Sequence, residues 1–172
     1  MGVRDKSPKL QVLYLVLPVI AVVGILDQYT KHLIEGLLEP HEILPVIDGY
    51  FNLTLNFNKG AAFGIFAGLP DGVREVVLWT VSGVAVSAVI YFLFTEYLHN
   101  RVGQFGLGLI LGGAIGNGID RFSRGEVVDF LDFYFGSYHW PAFNVADTAI
   151  SIGAGLLILA AVVSDRKRSL SQ

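Results

Sequence analysis

Carboxylates are concentrated in one part of this chain. Residues 112–149, which run from the end of one long apolar segment into the start of the next, carry Asp120, Asp129, Asp132 and Asp147. A charged side chain is costly at the edge of a lipid bilayer unless it is paired or faces water, so this concentration indicates a functional site. Two aspartates can hydrolyse a peptide bond without metal, thiol or serine. One carboxylate takes a proton from water, while the other, protonated, polarises the carbonyl group.

Spacing alone does not select the pair. Asp147 opens the last apolar segment, and the loop before it is long enough to return either Asp129 or Asp132 to its level. A second interpretation treats these residues as solvated carboxylates at the interface, because structural charge networks also gather at such edges. Asn144 and Asp147 also fit a helix cap, since N-x-x-D before an apolar run resembles a capping box.

Further polar residues are candidates either for supporting such a site or for stabilising the fold. Asp27 and Lys31 are four residues apart with the acid first, the favourable order for a helical ion pair, although either could instead bind a polar part of a substrate. Asp120 and Arg121 are candidates for an interfacial ion pair. Asn58 precedes a Lys-Gly pair, which is typical of a tight turn.

Composition excludes several kinds of chemistry. The chain has no cysteine, so it has no disulfide, thiolate metal site or thiol nucleophile. Its four histidines are scattered and show no H-E-x-x-H or similar ligand spacing. We expect neither a metal nor a cofactor.

The elements that must position these residues are membrane helices. The chain is 53% hydrophobic and 16% charged, with a mean hydropathy of +0.57. Four apolar runs reach the roughly 20 residues that a helix needs to span a bilayer core of about 30 Å. They are residues 10–31, 73–94, 102–119 and 145–163. We predict a mainly α-helical integral membrane protein, a single domain over 1–172 with a four-transmembrane-helix bundle.

Charge and strand patterns predict the topology. Basic residues cluster before the first helix, at 166–168 and at Arg101, which places both termini of a multi-pass membrane protein in the cytoplasm. The long outward connection contains alternating β-formers at 50–57, so we expect a small extracytoplasmic β-sheet at about 43–66, between helices 1 and 2. Gly60 and Gly64 would let this sheet move as a lid.

The third helix carries Gly108, Gly112 and Gly116 at four-residue spacing. Small residues on one face let another helix approach closely, so we expect tight packing within the bundle. Dimerisation through the same face is the alternative. We take a monomer as the expected state.

Five motifs follow one another along nearly the whole chain. They are Leu26-Asp27-Gln28-Tyr29-Thr30-Lys31, Asn58-Lys59-Gly60-Ala61-Ala62-Phe63, the segment GGAIGNGIDR at 112–121, Gly125-Glu126-Val127-Val128-Asp129-Phe130 and Pro141-Ala142-Phe143-Asn144-Val145-Ala146-Asp147. In this order they resemble the lipoprotein signal peptidases, or signal peptidase II, of bacterial inner membranes.

The resemblance implies an aspartic endopeptidase that removes the signal peptide from diacylglyceryl-modified prolipoproteins by cutting before the lipidated cysteine. It implies Asp129 and Asp147 as the catalytic dyad, with the active site towards the outer face, and excludes Asp132. Substrate-binding or dyad-supporting roles fall on Asn58, Asn117, Arg121 and Asn144, and structural ones on Asp27, Lys31 and Asp120. Lys59 departs from the small hydroxyl residue expected there. The implied partners are prolipoproteins and membrane lipid, with no nucleic acid.

Two rival functions fit some of these features. A small transporter would use Asp120, Asp129 and Asp147 as a proton relay, but no acidic residue lies near the middle of the second or third helix. A non-catalytic scaffold would bind a partner through its outer sheet.

Overall fold

The computed structural model describes residues 7–61, 65, 66 and 68–170, without the side chains of 164–170. Four helices, α1 (Pro8–Leu37), α2 (Asp71–Phe94), α3 (Arg101–Arg124) and α4 (Val145–Leu170), are each long and apolar enough to cross a membrane. The prediction of a mainly α-helical four-helix membrane protein is confirmed. Arg4, Lys6 and Gly64, and the side chains of 166–168, lie outside the described residues.

Three helices extend beyond their predicted C-terminal ends, and α4 continues to Leu170 rather than ending at residue 163. α1 continues to Leu37 rather than ending at residue 31, because Lys31 is buried at 1% exposure and marks no boundary with water. α3 continues to Arg124 rather than ending at residue 119. Gly125 terminates it in the left-handed conformation, at φ 78°, and donates its backbone N–H to the Arg121 carbonyl at 3.1 Å.

Helix α3 lies at the centre of the bundle, and its glycines allow this. A Cβ atom added at Gly108, Gly112 or Gly116 would approach side-chain atoms of α1 to between 2.6 and 3.2 Å. At Gly113 it would lie 2.4 Å from a backbone oxygen of α4. The predicted close packing of this glycine face is therefore confirmed, and α1 is the helix that it meets.

Helix α2 joins the bundle near its C-terminal end. Leu93 of α2 is buried with four residues of α1 and α3, namely Val12, Val16, Leu107 and Leu111. Over most of its length α2 is exposed, and its buried residues are Arg74, Leu78 and Leu93. This arrangement leaves space between the N-terminal half of α2 and the other helices.

Four antiparallel strands form one sheet in the order β1-β2-β3-β4. The expected strands between α1 and α2 are β1 (Ile43–Ile47) and β2 (Phe51–Asn58). The connection between α3 and α4, which the sequence predicts to be a loop, contributes β3 (Val127–Phe135) and β4 (Tyr138–His139). That expectation was wrong, because the sequence VVDFLDFYF of β3 is rich in β-formers.

The sheet packs on the end of the bundle where α1 and α3 finish and α4 begins. Ile34 and Leu38 are buried there together with Leu55 of β2 and with Val128 and Phe130 of β3. This apolar cluster fixes β3 next to the first turn of α4.

Candidate active site

Strand pairing brings Asn58 to Asp129. β2 and β3 are paired with Asn58 opposite Val127 and Asn56 opposite Asp129. The Asn58 amide donates from Nδ2 to Asp129 Oδ2 at 3.0 Å, and its Oδ1 accepts from the backbone N–H of Gly60 at 2.9 Å. The expected turn at Asn58 is therefore present, and the same side chain also binds a carboxylate.

Asn144 connects the two aspartates. Its Oδ1 accepts from the backbone N–H of Asp147 at 2.9 Å, which is the predicted cap of α4. Its Nδ2 donates to Asp129 Oδ1 at 2.8 Å and to the Val128 carbonyl at 3.1 Å. Because Asn144 is completely buried, none of these three hydrogen bonds competes with water.

Asn117 of α3 holds the side chain of Asp147. Its Nδ2 donates to Asp147 Oδ1 at 2.8 Å. Its Oδ1 accepts from Lys31 Nζ at 3.0 Å and from Asn144 Nδ2 at 3.2 Å. Two donors on the oxygen fix the orientation of the amide, so that its nitrogen faces Asp147.

Beside these amides lies a buried charge cluster, which consists of Asp27, Lys31 and Asp120. Lys31 Nζ lies 2.7 Å from Asp27 Oδ2 and 2.8 Å from Asp120 Oδ2. The expected Asp27–Lys31 pair is thus present. The sequence suggested an ion pair between Asp120 and Arg121, but Asp120 pairs with Lys31 instead. The Arg121 side chain points to the Gly60 carbonyl.

The two carboxylates of this cluster also accept hydrogen bonds from backbone groups. Asp27 Oδ1 accepts from the N–H of Ala146 in the first turn of α4 at 2.9 Å. Asp120 Oδ2 accepts from the N–H of Val128 at 3.2 Å. The cluster therefore ties α1 and α3 to the two segments that carry Asp129 and Asp147.

Arg121 faces the same region. Its Nη2 donates to the Gly60 carbonyl at 3.0 Å. Its buried Nε has no hydrogen-bond partner among the described residues. A donor remains free beside the two aspartates.

Asp129 has unusual acid–base properties. Its pKa is raised from 3.8 to about 7, first by burial and then by the negative charge of Asp147, against the smaller opposing effects of Asn58, Asn144 and Lys31. A carboxyl group with a pKa near neutrality can keep its proton in water of ordinary pH and release it during a reaction.

Asp129 and Asp147 line one cavity of about 780 Å³. Its polar lining is concentrated near the sheet and includes Asn58, Asn117 and Arg121. Apolar walls are supplied by α2, α3 and α4 through residues such as Leu78, Val86, Val89, Ile110 and Ile150. The cavity combines an apolar groove between helices with a pair of carboxylates.

Residues 19–163 match the model of a family described as Signal peptidase (SPase) II. The chain belongs to this family. The lipoprotein signal peptidase of Desulforapulum autotrophicum is 52% identical over 74% of this chain and 79% of its own length. That of Syntrophus aciditrophicus is 44% identical over 86% of this chain and 92% of its own. The chain is therefore a membrane peptidase of the signal peptidase II family, as the motifs had suggested.

A solved structure agrees with this family membership. A bacterial membrane enzyme determined by the in meso method at 2.3 Å resolution superposes with a TM-score of 0.78 at 33% identity. The similarity covers 89% of this chain and 90% of the other. Helices and sheet thus have the arrangement of a known membrane enzyme.

Within this signal peptidase II fold, Asp132 is separated from the other polar residues of the site. Its carboxylate accepts from Asn52 Nδ2 at 2.9 Å and lies 2.9 Å from His139 Nδ1. It is not among the described residues that line the cavity. Spacing alone could not distinguish it from Asp129, but the strand directs the two side chains to different partners.

Gln28 is a further polar residue of the charge cluster. Its Nε2 donates to Asp120 Oδ1 at 2.9 Å and to the Gly116 carbonyl at 3.1 Å. The sequence signal for it is its place beside Asp27 in a membrane-spanning helix, where an uncompensated polar side chain is costly.

Proposed function

We propose that this chain is an aspartic endopeptidase that removes the signal peptide from diacylglyceryl-modified prolipoproteins, cutting before the lipidated cysteine. The observation that carries the proposal is that Asp129 and Asp147 line the same cavity and are both bound by Asn144. Names of the relatives supply the substrate class.

The two carboxyl groups take different roles. Asp129 holds the proton, since its pKa is raised to about 7, and donates a hydrogen bond to the oxygen of the scissile carbonyl. Asp147 is the carboxylate that accepts a proton from the attacking water. Its place in the first turn of α4 and the donor from Asn117 both favour a negative charge there.

Hydrolysis then proceeds without metal or cofactor. Water adds to the carbonyl carbon as Asp147 takes its proton, which forms a tetrahedral intermediate whose oxygen is stabilised by the Asp129 proton. Asp147 returns the proton to the nitrogen of the leaving peptide as the C–N bond breaks. The products are the free signal peptide and the lipoprotein with a new amino terminus, and the dyad regains its starting state.

The cavity suits such a substrate. Its apolar walls accept a signal-peptide helix and acyl chains from the membrane, while Asn58 and Arg121 near the sheet can contact the peptide backbone around the scissile bond. The guanidinium group of Arg121, which lines the cavity, is a suitable donor to a substrate carbonyl. Lys31, Asp27 and Asp120 act as supporting residues by orienting Asn117 and by fixing the ends of α3 and α4.

We place the sheet and the dyad on the outer face of the inner membrane, with both termini in the cytoplasm. Arg101, at the opposite end of α3, supports this orientation. We also assign residues 1–172 to a single domain that acts as a monomer. Engagement of Gly108, Gly112 and Gly116 with α1 supports the monomer, because that face is no longer available to a second copy.

The test is cleavage of a purified diacylglyceryl-modified prolipoprotein by the purified protein in detergent. Asp129→Asn and Asp147→Asn should each fold and lose cleavage almost completely, because either change removes one half of the acid–base pair. Asp132→Asn is the matched control, since it makes the same change on the same strand, and it should retain cleavage.

Full cleavage by Asp129→Asn or Asp147→Asn would remove that residue from the dyad. Loss of cleavage in Asp132→Asn alone would move the dyad to that position. If the wild-type protein cleaves no lipidated substrate, the proposed substrate class is wrong.

A further inference from the structure

Gly118 lies in α3 at the level of the proposed dyad. It follows Asn117, the partner of Asp147, and it precedes Arg121 by about one helical turn. It lines the same cavity as these residues. Glycine inside a helix is a poorer helix former than alanine, so its presence at this position has a structural or a functional reason.

Helix packing explains the other glycines on the central part of α3 but not Gly118. A Cβ atom would lie within 3.2 Å of a heavy atom of α1 or α4 at each of the positions Gly106, Gly108, Gly112, Gly113 and Gly116. At Gly118 it would meet no described heavy atom within 4 Å. Gly118 therefore leaves open space that faces the cavity instead of a neighbouring helix.

The position of Gly118 along α3 indicates which part of a bound substrate would lie next to it. α3 runs towards the sheet, so Arg121 lies on the sheet side of Gly118, while Ala114 and Ile110 continue the cavity wall into the bundle. On the proposed function, the apolar wall holds the signal peptide. Gly118 therefore lies beside the dyad on the signal-peptide side of the scissile bond.

We propose that Gly118 is a specificity-determining residue, whose missing side chain sets how large the substrate residue immediately before the lipidated cysteine can be. The inference rests on the proposed function and deepens it. A larger side chain at Gly118 would occupy the space that the substrate side chain needs, because interiors tolerate added volume poorly. The acid–base groups themselves would be unchanged.

The experiment uses lipidated prolipoprotein substrates that differ only in the residue before the cysteine, which is glycine in one and leucine in the other. Wild type, Gly118→Ala and Gly118→Leu are compared by kcat/KM. We expect Gly118→Leu to lower cleavage of the leucine substrate relative to the glycine substrate by roughly tenfold or more, as a pocket that excludes a side chain does. Gly118→Ala should shift the same ratio in the same direction by less.

Gly155→Leu is the matched control. Gly155 lies in α4, has no described heavy atom within 4 Å of an added Cβ, and is not among the described residues that line the cavity. This variant should keep the wild-type ratio.

An equal loss with both substrates in both Gly118 variants, or an unchanged ratio in a folded Gly118→Leu protein, would overturn the assignment. If Gly118→Leu does not fold, the assignment is judged from Gly118→Ala, by its ratio of kcat/KM for the leucine substrate to kcat/KM for the glycine substrate. Failure of the wild type to cleave either substrate would instead overturn the proposed function, and this inference with it.

Discussion

Two pairs of aspartates lie side by side in this protein and differ in their partners. Asp27 and Asp120 share the ammonium group of Lys31, and all three residues are at most 1% exposed. Asp129 and Asp147 receive their side-chain hydrogen bonds from the amides Asn58, Asn144 and Asn117, and they line the cavity. The first pair is neutralised by a cation, whereas the second is held by neutral groups.

The two pairs show that the surroundings of an aspartate determine whether it has a structural role or is a candidate for acid–base chemistry. Asp27 and Asp120 are buried around a shared cation and tie α1 and α3 to the segments that carry Asp129 and Asp147. Asp129 has no cation among its hydrogen-bond partners, and burial together with the charge of Asp147 raises its pKa to about 7. Asn117 joins the two regions, since it accepts from Lys31 and donates to Asp147.

The largest effect is expected from removing the cation. Lys31→Met should lower the free energy of unfolding by about 3–5 kcal/mol, because it leaves two buried carboxylates without their shared partner. Chemical unfolding in detergent measures the change. The control is Lys59→Met, which makes the same substitution at an exposed position and should stay within about 0.5 kcal/mol of wild type.

Equal stability of the two lysine variants would contradict the structural role of the charge cluster. The distinction drawn between the two aspartate pairs would then fail, because Asp27 and Asp120 would not depend on their cation.

A smaller effect concerns the pH dependence of stability. The pKa of Asp129 is raised in the folded protein from 3.8 to about 7, so its contribution is most favourable below pH 4 and is lost as pH rises towards 7. Since one pKa unit corresponds to about 1.4 kcal/mol, this loss is bounded at about 4 kcal/mol. Asp129→Asn should therefore gain stability relative to wild type between pH 4 and pH 7.

The same unfolding titration checks this expectation. Asp48→Asn, at an exposed position between β1 and β2, should follow the wild-type curve. If the free energies of unfolding of Asp129→Asn and wild type differ by the same amount at every pH between 4 and 7, Asp129 titrates as an ordinary carboxylate.

The sequence predicted the helices well because apolar length is a local property. It misplaces the end of α1 because a lysine at the end of an apolar run ordinarily marks a membrane boundary. Two aspartates, from α1 and α3, neutralise Lys31 in the interior instead. That pairing joins residues far apart in the chain, which a local pattern cannot show.

The residues of the candidate site could be predicted from the sequence, but most of the hydrogen bonds between them could not. The cap at Asn144 and the turn at Asn58 followed from short motifs, and both are present. Their bonds to Asp129 depend on the pairing of β2 with β3 and on the docking of the sheet. The choice of Asp129 over Asp132 came from the family resemblance and stays a prediction.

Infrared titration of the protein in detergent tests most directly whether Asp129 carries the proton of the dyad. A protonated carboxyl band should disappear in wild type with a midpoint near pH 7, as the raised pKa of Asp129 requires. The band should be absent from Asp129→Asn and retained in Asp132→Asn. A band that persists unchanged in Asp129→Asn would contradict the account.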